Sequence, residues 1–177
     1  MLFWHLGATI AFVRYAFRDQ AMDLRFLALG ALLPDLIDTP IGALMWTSWQ
    51  APRLWSHSLA FGSVLMVGVL VATRRGTRRK KWMLLAVGVV MHLALDAMWA
   101  DPQTLWWPFL GWEFTRTGFS IFAEYASVVV RDPWMWAGEL VGLVYLAFLW
   151  CASGLHRPDA RRDLLSTGRV SAPIDQD

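Results

Sequence analysis

The chain has 177 residues, of which 56% are hydrophobic and 17% are charged. Soluble domains average about 45–50% apolar and about 25% charged residues. The twelve Trp also exceed what a small soluble core needs. This composition excludes a disordered chain, a coiled coil and a nucleic-acid-binding tail protein, and it favours a single-domain membrane protein. Because Cys151 is the one cysteine, an intramolecular disulfide and a cysteine-based metal cluster are excluded as well.

Apolar segments, taken in chain order, predict an all-α fold, a polytopic membrane helical bundle. The first two cover residues 2–17 and 24–37, fewer than the about 20 residues of a spanning helix, and Pro34 and Asp35 interrupt the second. We interpret these two as an N-terminal helical hairpin that crosses or partly enters the bilayer. The later segments are long enough to predict three clear spanning helices, over residues 55–73, 82–100 and 134–152.

The distribution of charge predicts an orientation in the inner (plasma) membrane. Six basic residues lie within 74–81, and cytoplasmic loops carry an excess of Lys and Arg. With that loop inside, the cytoplasmic side holds 13 bases and 6 acids, and the outer side holds 3 bases and 8 acids. Residues 1–156 then form one membrane-embedded helical domain, and residues 157–177 form a polar, disordered cytoplasmic tail.

Polar side chains interrupt the apolar segments on the predicted outer side. His92 and Asp96 are four residues apart, which places them on one face of a helix. An acid at the middle of a membrane costs about 2.5–3.5 kcal/mol on insertion scales, so such residues are usually functional. Imidazoles and carboxylates without cysteine are typical ligands of zinc and other divalent cations. The polar residues that converge on this side are His5, Asp35, Asp38, His57, His92, Asp96, Glu124 and Glu139.

Structural interpretations of single residues stay open beside the metal site. The pair His92 and Asp96 is also consistent with a buried hydrogen bond that joins two helices. Asp35, directly after Pro34, is consistent with a cap at a helix end. Glu139 is consistent with a side chain that only reaches the membrane interface. The convergence of several candidates on one side favours a metal site more than any of these residues does alone.

Four short motifs resemble those of one known family. They are GALLPDLID at residues 30–38, RLWSHSL at 53–59, HLALD at 92–96 and WPF at 107–109. In this order they resemble the LexA-binding, inner-membrane-associated hydrolase family, small membrane proteins described as metal-dependent hydrolases. The resemblance covers about two thirds of the chain. More distantly, the order of His and Asp residues is similar to the metal core of zinc-dependent phospholipase C.

The resemblance implies roles for individual residues. Its motifs match the metal ligands to His5, Asp35, His57, His92 and Asp96. Asp38 lies one residue beyond the second acid of the family motif, and Glu124 matches a downstream acid. Either carboxylate is a candidate general base. Arg53 is the candidate that holds a phosphate or carboxylate of the substrate.

The sequence therefore predicts a membrane-embedded metal-dependent hydrolase, with zinc as the expected metal. It would act at the extracytoplasmic membrane face on a membrane lipid or a small phosphoester, and we expect no nucleic-acid partner. Two alternatives stay open: a non-enzymatic membrane protein with a structural metal site, and a small ion-binding transporter. Because the polar residues lie on only one side of the membrane, a transport pathway is disfavoured. Carboxylates beyond those needed as metal ligands disfavour a closed structural site.

Overall fold

A computed structural model describes residues 1–172, and these residues form α-helices and short 3₁₀ turns without a strand. The predicted all-α class is therefore confirmed. Turns of 3₁₀ helix cover Trp55–His57 and Met98–Ala100. In chain order the helices are α1 (Leu2–Phe17), α2 (Leu24–Leu44), α3 (Trp46–Trp49), α4 (Leu59–Ala72), α5 (Thr77–Leu95), α6 (Pro102–Leu105), α7 (Phe122–Arg131), α8 (Pro133–Ala152) and α9 (Pro158–Thr167).

The most extensive packing joins α2 to α5 and α1 to α8, and α1 also contacts α2 and α5. Gly30 and Gly88 allow α2 and α5 to approach backbone to backbone. A Cβ at Gly30 would lie 2.2 Å from the carbonyl oxygen of Leu85, and one at Gly88 would lie 2.6 Å from that of Leu27. Small residues permit such contacts between membrane helices. This close crossing also brings His92, one turn beyond Gly88, to the backbone of α2.

A Gly88→Val substitution is expected to lower the stability of the protein by about 1–3 kcal/mol, because the side chain would push α5 away from α2. Thermal unfolding in detergent measures the change. Gly68→Val on α4 is the matched control, since a Cβ at Gly68 meets no atom within 4 Å. Equal melting temperatures for the two variants would contradict the close helix crossing.

Two helices of the described chain, α2 and α8, are long and apolar enough to cross a membrane. The prediction of three clear spanning helices is therefore wrong. Residues 55–73 divide into a 3₁₀ turn and the 14-residue α4, which is shorter than a spanning helix. Residues 82–100 fall largely in α5, whose first turns carry the basic residues 78–81 and which ends at Leu95. Residues 134–152 match α8, whose exposed apolar side chains suit contact with lipid.

Helix α2 also differs from its predicted form, because it continues through Pro34 for 21 residues. The sequence predicts a break there, since proline lacks the N–H of a helical hydrogen bond. Membrane helices tolerate an internal proline where neighbouring groups use the freed backbone positions. The Pro34 carbonyl oxygen accepts a hydrogen bond from Ser56 Oγ at 3.0 Å, which joins this part of α2 to the turn that carries His57. The unbroken helix carries both Asp35 and Asp38.

The C-terminal segment packs against the end of the bundle where α2 begins. Helix α9 occupies part of the expected disordered tail, and the Gly168 carbonyl oxygen accepts a hydrogen bond from Leu24 N at 2.8 Å. Ala172 is buried against α1 and α2, and its carbonyl oxygen accepts a hydrogen bond from Arg14. The tail is thus helical over Pro158–Thr167 and contacts the bundle at Gly168 and Ala172, while residues 173–177 lie outside the described residues.

Asp23 forms a charged cluster with Arg25 and Lys81 at the start of α2. Its carboxylate accepts hydrogen bonds from Arg25 Nη2 at 2.8 Å and pairs with Lys81 Nζ at 3.1 Å. Burial by itself would raise the pKa of Asp23, but the hydrogen bonds from Arg25 and Lys81 outweigh burial and lower the pKa to about 2. The ionised form of Asp23 therefore stabilises the folded protein.

The stability that Asp23 contributes is expected to disappear in acid. Its pKa is near 3.9 in an unfolded chain, so about 2 kcal/mol is present above pH 4 and is lost as the pH falls towards 2. Unfolding of the wild type and of Asp23→Asn, followed from pH 6 to pH 2, measures this effect. The stability difference between them is expected to shrink as the pH falls, and a difference that grows would contradict the ion cluster.

Candidate metal centre

Three histidines from three different elements meet at one end of the bundle. His5 lies on α1, His57 ends the 3₁₀ turn before α4, and His92 lies on α5; each is at most 1% exposed. The rings of His5 and His92 are stacked with centroids 4.1 Å apart. The Nε2 atoms of His57 and His92 are 3.2 Å apart. The fold thus gathers three buried imidazoles that are far apart in the sequence.

Each of these rings is anchored through Nδ1. Nδ1 of His57 lies 2.7 Å from a carboxylate oxygen, and Nδ1 of His92 lies 2.7 Å from a backbone carbonyl oxygen. Because these oxygens can only accept, each Nδ1 donates and leaves a lone pair on Nε2. Metal-binding histidines are held in the same way. The three acceptors are the carbonyl oxygens of Met1 (for His5) and Ala31, and the carboxylate of Asp38.

Asp35 completes a triangle of potential ligand atoms with His57 and His92. Its Oδ1 lies 3.5 Å from His57 Nε2 and 3.7 Å from His92 Nε2. Ligands of a tetrahedral zinc ion, at about 2.0–2.1 Å from the metal, are about 3.3 Å from one another. The triangle therefore has the dimensions of one face of a tetrahedral zinc site, and these residues fit such an ion.

Asp96 belongs to a second group, with His5 and His92. Its Oδ1 lies 3.0 Å from His5 Nε2, and its Oδ2 lies 2.9 Å from Arg53 Nη2 and 3.8 Å from His57 Nε2. The ligand atoms of His5, His92 and Asp96 lie within 4.8 Å of one another, as do those of the first group. His92 is shared by both groups. All five predicted metal ligands are thus brought together.

Asp38 is fully buried and accepts several hydrogen bonds. Besides His57 Nδ1, the backbone N–H groups of Leu54, His57 and Ser56 donate to it at 2.7, 3.2 and 3.4 Å. A general base needs contact with a water molecule or substrate. The oxygens of this enclosed carboxylate instead accept the hydrogen bonds of the turn that carries His57. The geometry is that of a carboxylate that positions a ligand.

The other predicted residues lie at different distances from the histidines. Arg53 reaches the group through Asp96 and is 37% exposed. Glu124 is an exposed residue of α7, and its carboxylate forms no hydrogen bond or ion pair with the described site residues. Glu139 Oε2 accepts a hydrogen bond from Phe3 N at 2.8 Å, which fixes the first turn of α1 next to His5. The site therefore includes Arg53, and Glu139 supports it from α8.

A cavity of about 470 Å³ opens beside the candidate ligands. Asp35, Arg53 and Asp96 line it, together with residues of α7 and of the start of α8. Helix α7 is absent from the predicted elements. Its signal is in the sequence, because apolar residues recur at 122, 125, 126 and 129, the spacing of one helix face. The sequence carries no comparable signal for the carbonyl oxygens of Met1 and Ala31, which accept the hydrogen bonds of His5 and His92.

Comparison with known proteins identifies the family of the chain. Residues 3–157 match the model of the YdjM inner membrane protein family, and the matched region contains both candidate metal groups. No curated protein and no solved structure matches the chain. The family description names an inner membrane protein and no activity, so it lends no support to a likeness to hydrolases or to phospholipase C. The chain belongs to the YdjM inner membrane protein family.

Proposed function

We propose that the protein is a membrane-embedded, zinc-dependent hydrolase that acts on a phosphoester or lipid-like substrate at the extracytoplasmic face. One observation carries this proposal: three buried imidazoles, each anchored through Nδ1, turn Nε2 towards two carboxylates beside an open cavity. Unpaired polar groups and charges in a protein interior cost free energy, and a divalent cation among them removes that cost. Each group offers two imidazoles and one carboxylate, a ligand set that holds zinc in known catalytic sites.

The number of ligands supports a catalytic role. Each group offers three protein ligands, and catalytic zinc sites keep the fourth position open to water or substrate. A bound zinc ion would lower the pKa of a water molecule to about 7 and polarise the scissile bond. A structural site, by contrast, has four protein ligands and no open coordination position.

The remaining steps fall to side chains of this chain. The Arg53 guanidinium lines the cavity, where it can hold an oxygen of a phosphate or carboxylate group. Among the acids of the two groups, Asp35 is 35% exposed and Asp96 is 7% exposed, so substrate and water reach Asp35 more easily. Asp35 would ligate the metal through Oδ1, so we assign proton transfer to its other oxygen, Oδ2, in place of Asp38 or Glu124. Asp38 holds His57 in the orientation that a ligand needs.

Turnover assays test the activity directly. Zinc-loaded protein is assayed against phospholipids and soluble phosphodiesters, before and after treatment with a chelator. We expect hydrolysis of at least one substrate, its loss with the chelator and its recovery with added zinc. Zinc binding without turnover would support a structural metal site instead, and protein that binds no zinc would overturn the proposal.

The orientation is tested by labelling single cysteines. Ser48→Cys and Thr77→Cys, each in a Cys151→Ser background, place exposed thiols on α3 and at the start of α5, at opposite ends of the bundle. In intact cells, an impermeant maleimide is expected to label residue 48, and to label residue 77 only after the membrane is opened. The reverse pattern would place the site on the cytoplasmic side.

A further inference from the structure

We propose that α7 forms an alkyl-chain surface, so that the ligand of the cavity is an amphiphile with a phosphate head and a long apolar chain. The surface consists of Phe122, Tyr125, Ala126 and Val129. The part of the proposal that concerns the phosphate head rests on the zinc site described above. The part that concerns the alkyl chain does not depend on zinc.

The inner face of α7 lines the cavity and lacks the dense packing of a core helix. Phe122, Tyr125, Ala126 and Val129 occupy one face of the helix and line the cavity, and each is only half-buried. Helix α7 contains no fully buried residue, whereas α2 and α5 each contain several. Because this apolar face borders the cavity, an apolar ligand in the cavity can pack against it.

Charged side chains also line the cavity. They are Asp35, Arg53 and Asp96, at the candidate ligands, and Asp132, between α7 and α8. A volume of about 470 Å³ lies within the about 300–1,000 Å³ that is usual for ligand sites. A small water-soluble phosphoester would leave the α7 surface against water. An amphiphile would place its head at Arg53 and its chain on α7, and so would contact both the charged and the apolar lining.

The charges of the cavity set a condition on the head. Asp35, Asp96 and Asp132 line the cavity together with Arg53, so carboxylates outnumber guanidinium groups there. A phosphate would be repelled unless a divalent cation neutralised Asp35 and Asp96. Binding of the phosphate head is therefore expected to require zinc, whereas contact of the chain with α7 is not.

Two photoreactive probes separate head from chain. Dodecyl phosphate and dodecanol, each with a diazirine near the chain end, are added to protein in phosphatidylcholine nanodiscs, and labelled residues are identified by mass spectrometry. We expect both probes to label α7, and excess unlabelled probe to suppress that labelling about tenfold, as for a specific site. Zinc is expected to raise labelling by dodecyl phosphate about tenfold and to leave labelling by dodecanol unchanged.

Neighbouring substitutions on α7 provide the matched control. Val129→Asp places a charge on the inner face and is expected to lower labelling by either probe about tenfold. Val128→Asp alters the outer face, where the side chain is 53% exposed, and is expected to have no effect. The zinc content of both variants is measured alongside and is expected to equal that of the wild type.

The outcomes distinguish this inference from the proposed activity. Val64 and Val71 on α4 are exposed and serve as the reference for unspecific labelling. If excess unlabelled probe suppresses labelling of α7 no more than labelling of these residues, the alkyl-chain surface is overturned. Equal effects of the two α7 substitutions would also overturn it. If the protein binds no zinc but excess probe still suppresses labelling by dodecanol, the alkyl-chain surface is supported and the zinc-dependent hydrolase is refuted. Labelling by dodecyl phosphate that does not respond to bound zinc would overturn the phosphate head.

Discussion

A His92→Ala variant is expected to lose nearly all bound zinc and all zinc-dependent turnover. His92 belongs to both groups of ligands, so its removal leaves each with only two protein ligands. A His5→Ala variant keeps Asp35, His57 and His92 intact and is expected to retain zinc at that group. Elemental analysis after equilibrium dialysis against zinc measures the content of each variant.

The His156→Ala variant is the control for the loss of a histidine. His156 is exposed, in the turn before α9, and is not part of either group. Its substitution is expected to leave the zinc content unchanged. A His92→Ala variant with the zinc content of the wild type would show that the two groups do not share this ligand.

Substitution of Asp38 is expected to have the second large effect. Asp38→Ala removes the acceptor of three backbone N–H groups and of His57 Nδ1 in a fully buried position. Removal of one partner from a buried charged contact costs about 3–5 kcal/mol. We therefore expect Asp38→Ala to be strongly destabilised, as measured by thermal unfolding in detergent.

Asp38→Asn separates the two roles that Asp38 could have. The amide keeps the shape of the carboxylate and one oxygen acceptor, so we expect the variant to fold. Loss of the charge behind a metal-binding histidine lowers metal affinity by about 10–100-fold. Zinc affinity is thus expected to fall together with turnover. An Asn variant that binds zinc like the wild type but is inactive would instead support the general base that the sequence predicts.

The metal groups could be predicted because polar residues in apolar segments are conspicuous. His5, Asp35, His57, His92 and Asp96 each interrupt such a segment, and a single topology places them on one side. The positioning role of Asp38 could not be predicted. It depends on the path of residues 52–57, which fold back so that three N–H groups face one carboxylate.

The lengths of the helices were harder to predict than their existence. Hydropathy alone does not show that the segment at Trp55 begins with a 3₁₀ turn, because the hydrogen bonds of Ser56 and His57 to α2 determine where α4 begins. Nor does it show that α2 continues through Pro34, because an internal proline predicts a break by local preference although membrane helices tolerate it. The docking of Ala172 against the bundle likewise depends on tertiary contacts.

X-ray absorption spectroscopy of the zinc-loaded wild type identifies the atoms that surround the metal. A metal centre of His and Asp ligands predicts zinc surrounded by nitrogen and oxygen at about 2.0–2.1 Å, with the multiple scattering of histidine rings. The same spectrum of His92→Ala protein is expected to lack this signal. A sulfur ligand at about 2.3 Å, as from the exposed Cys151, or a wild type that retains no zinc, would contradict a His and Asp metal centre.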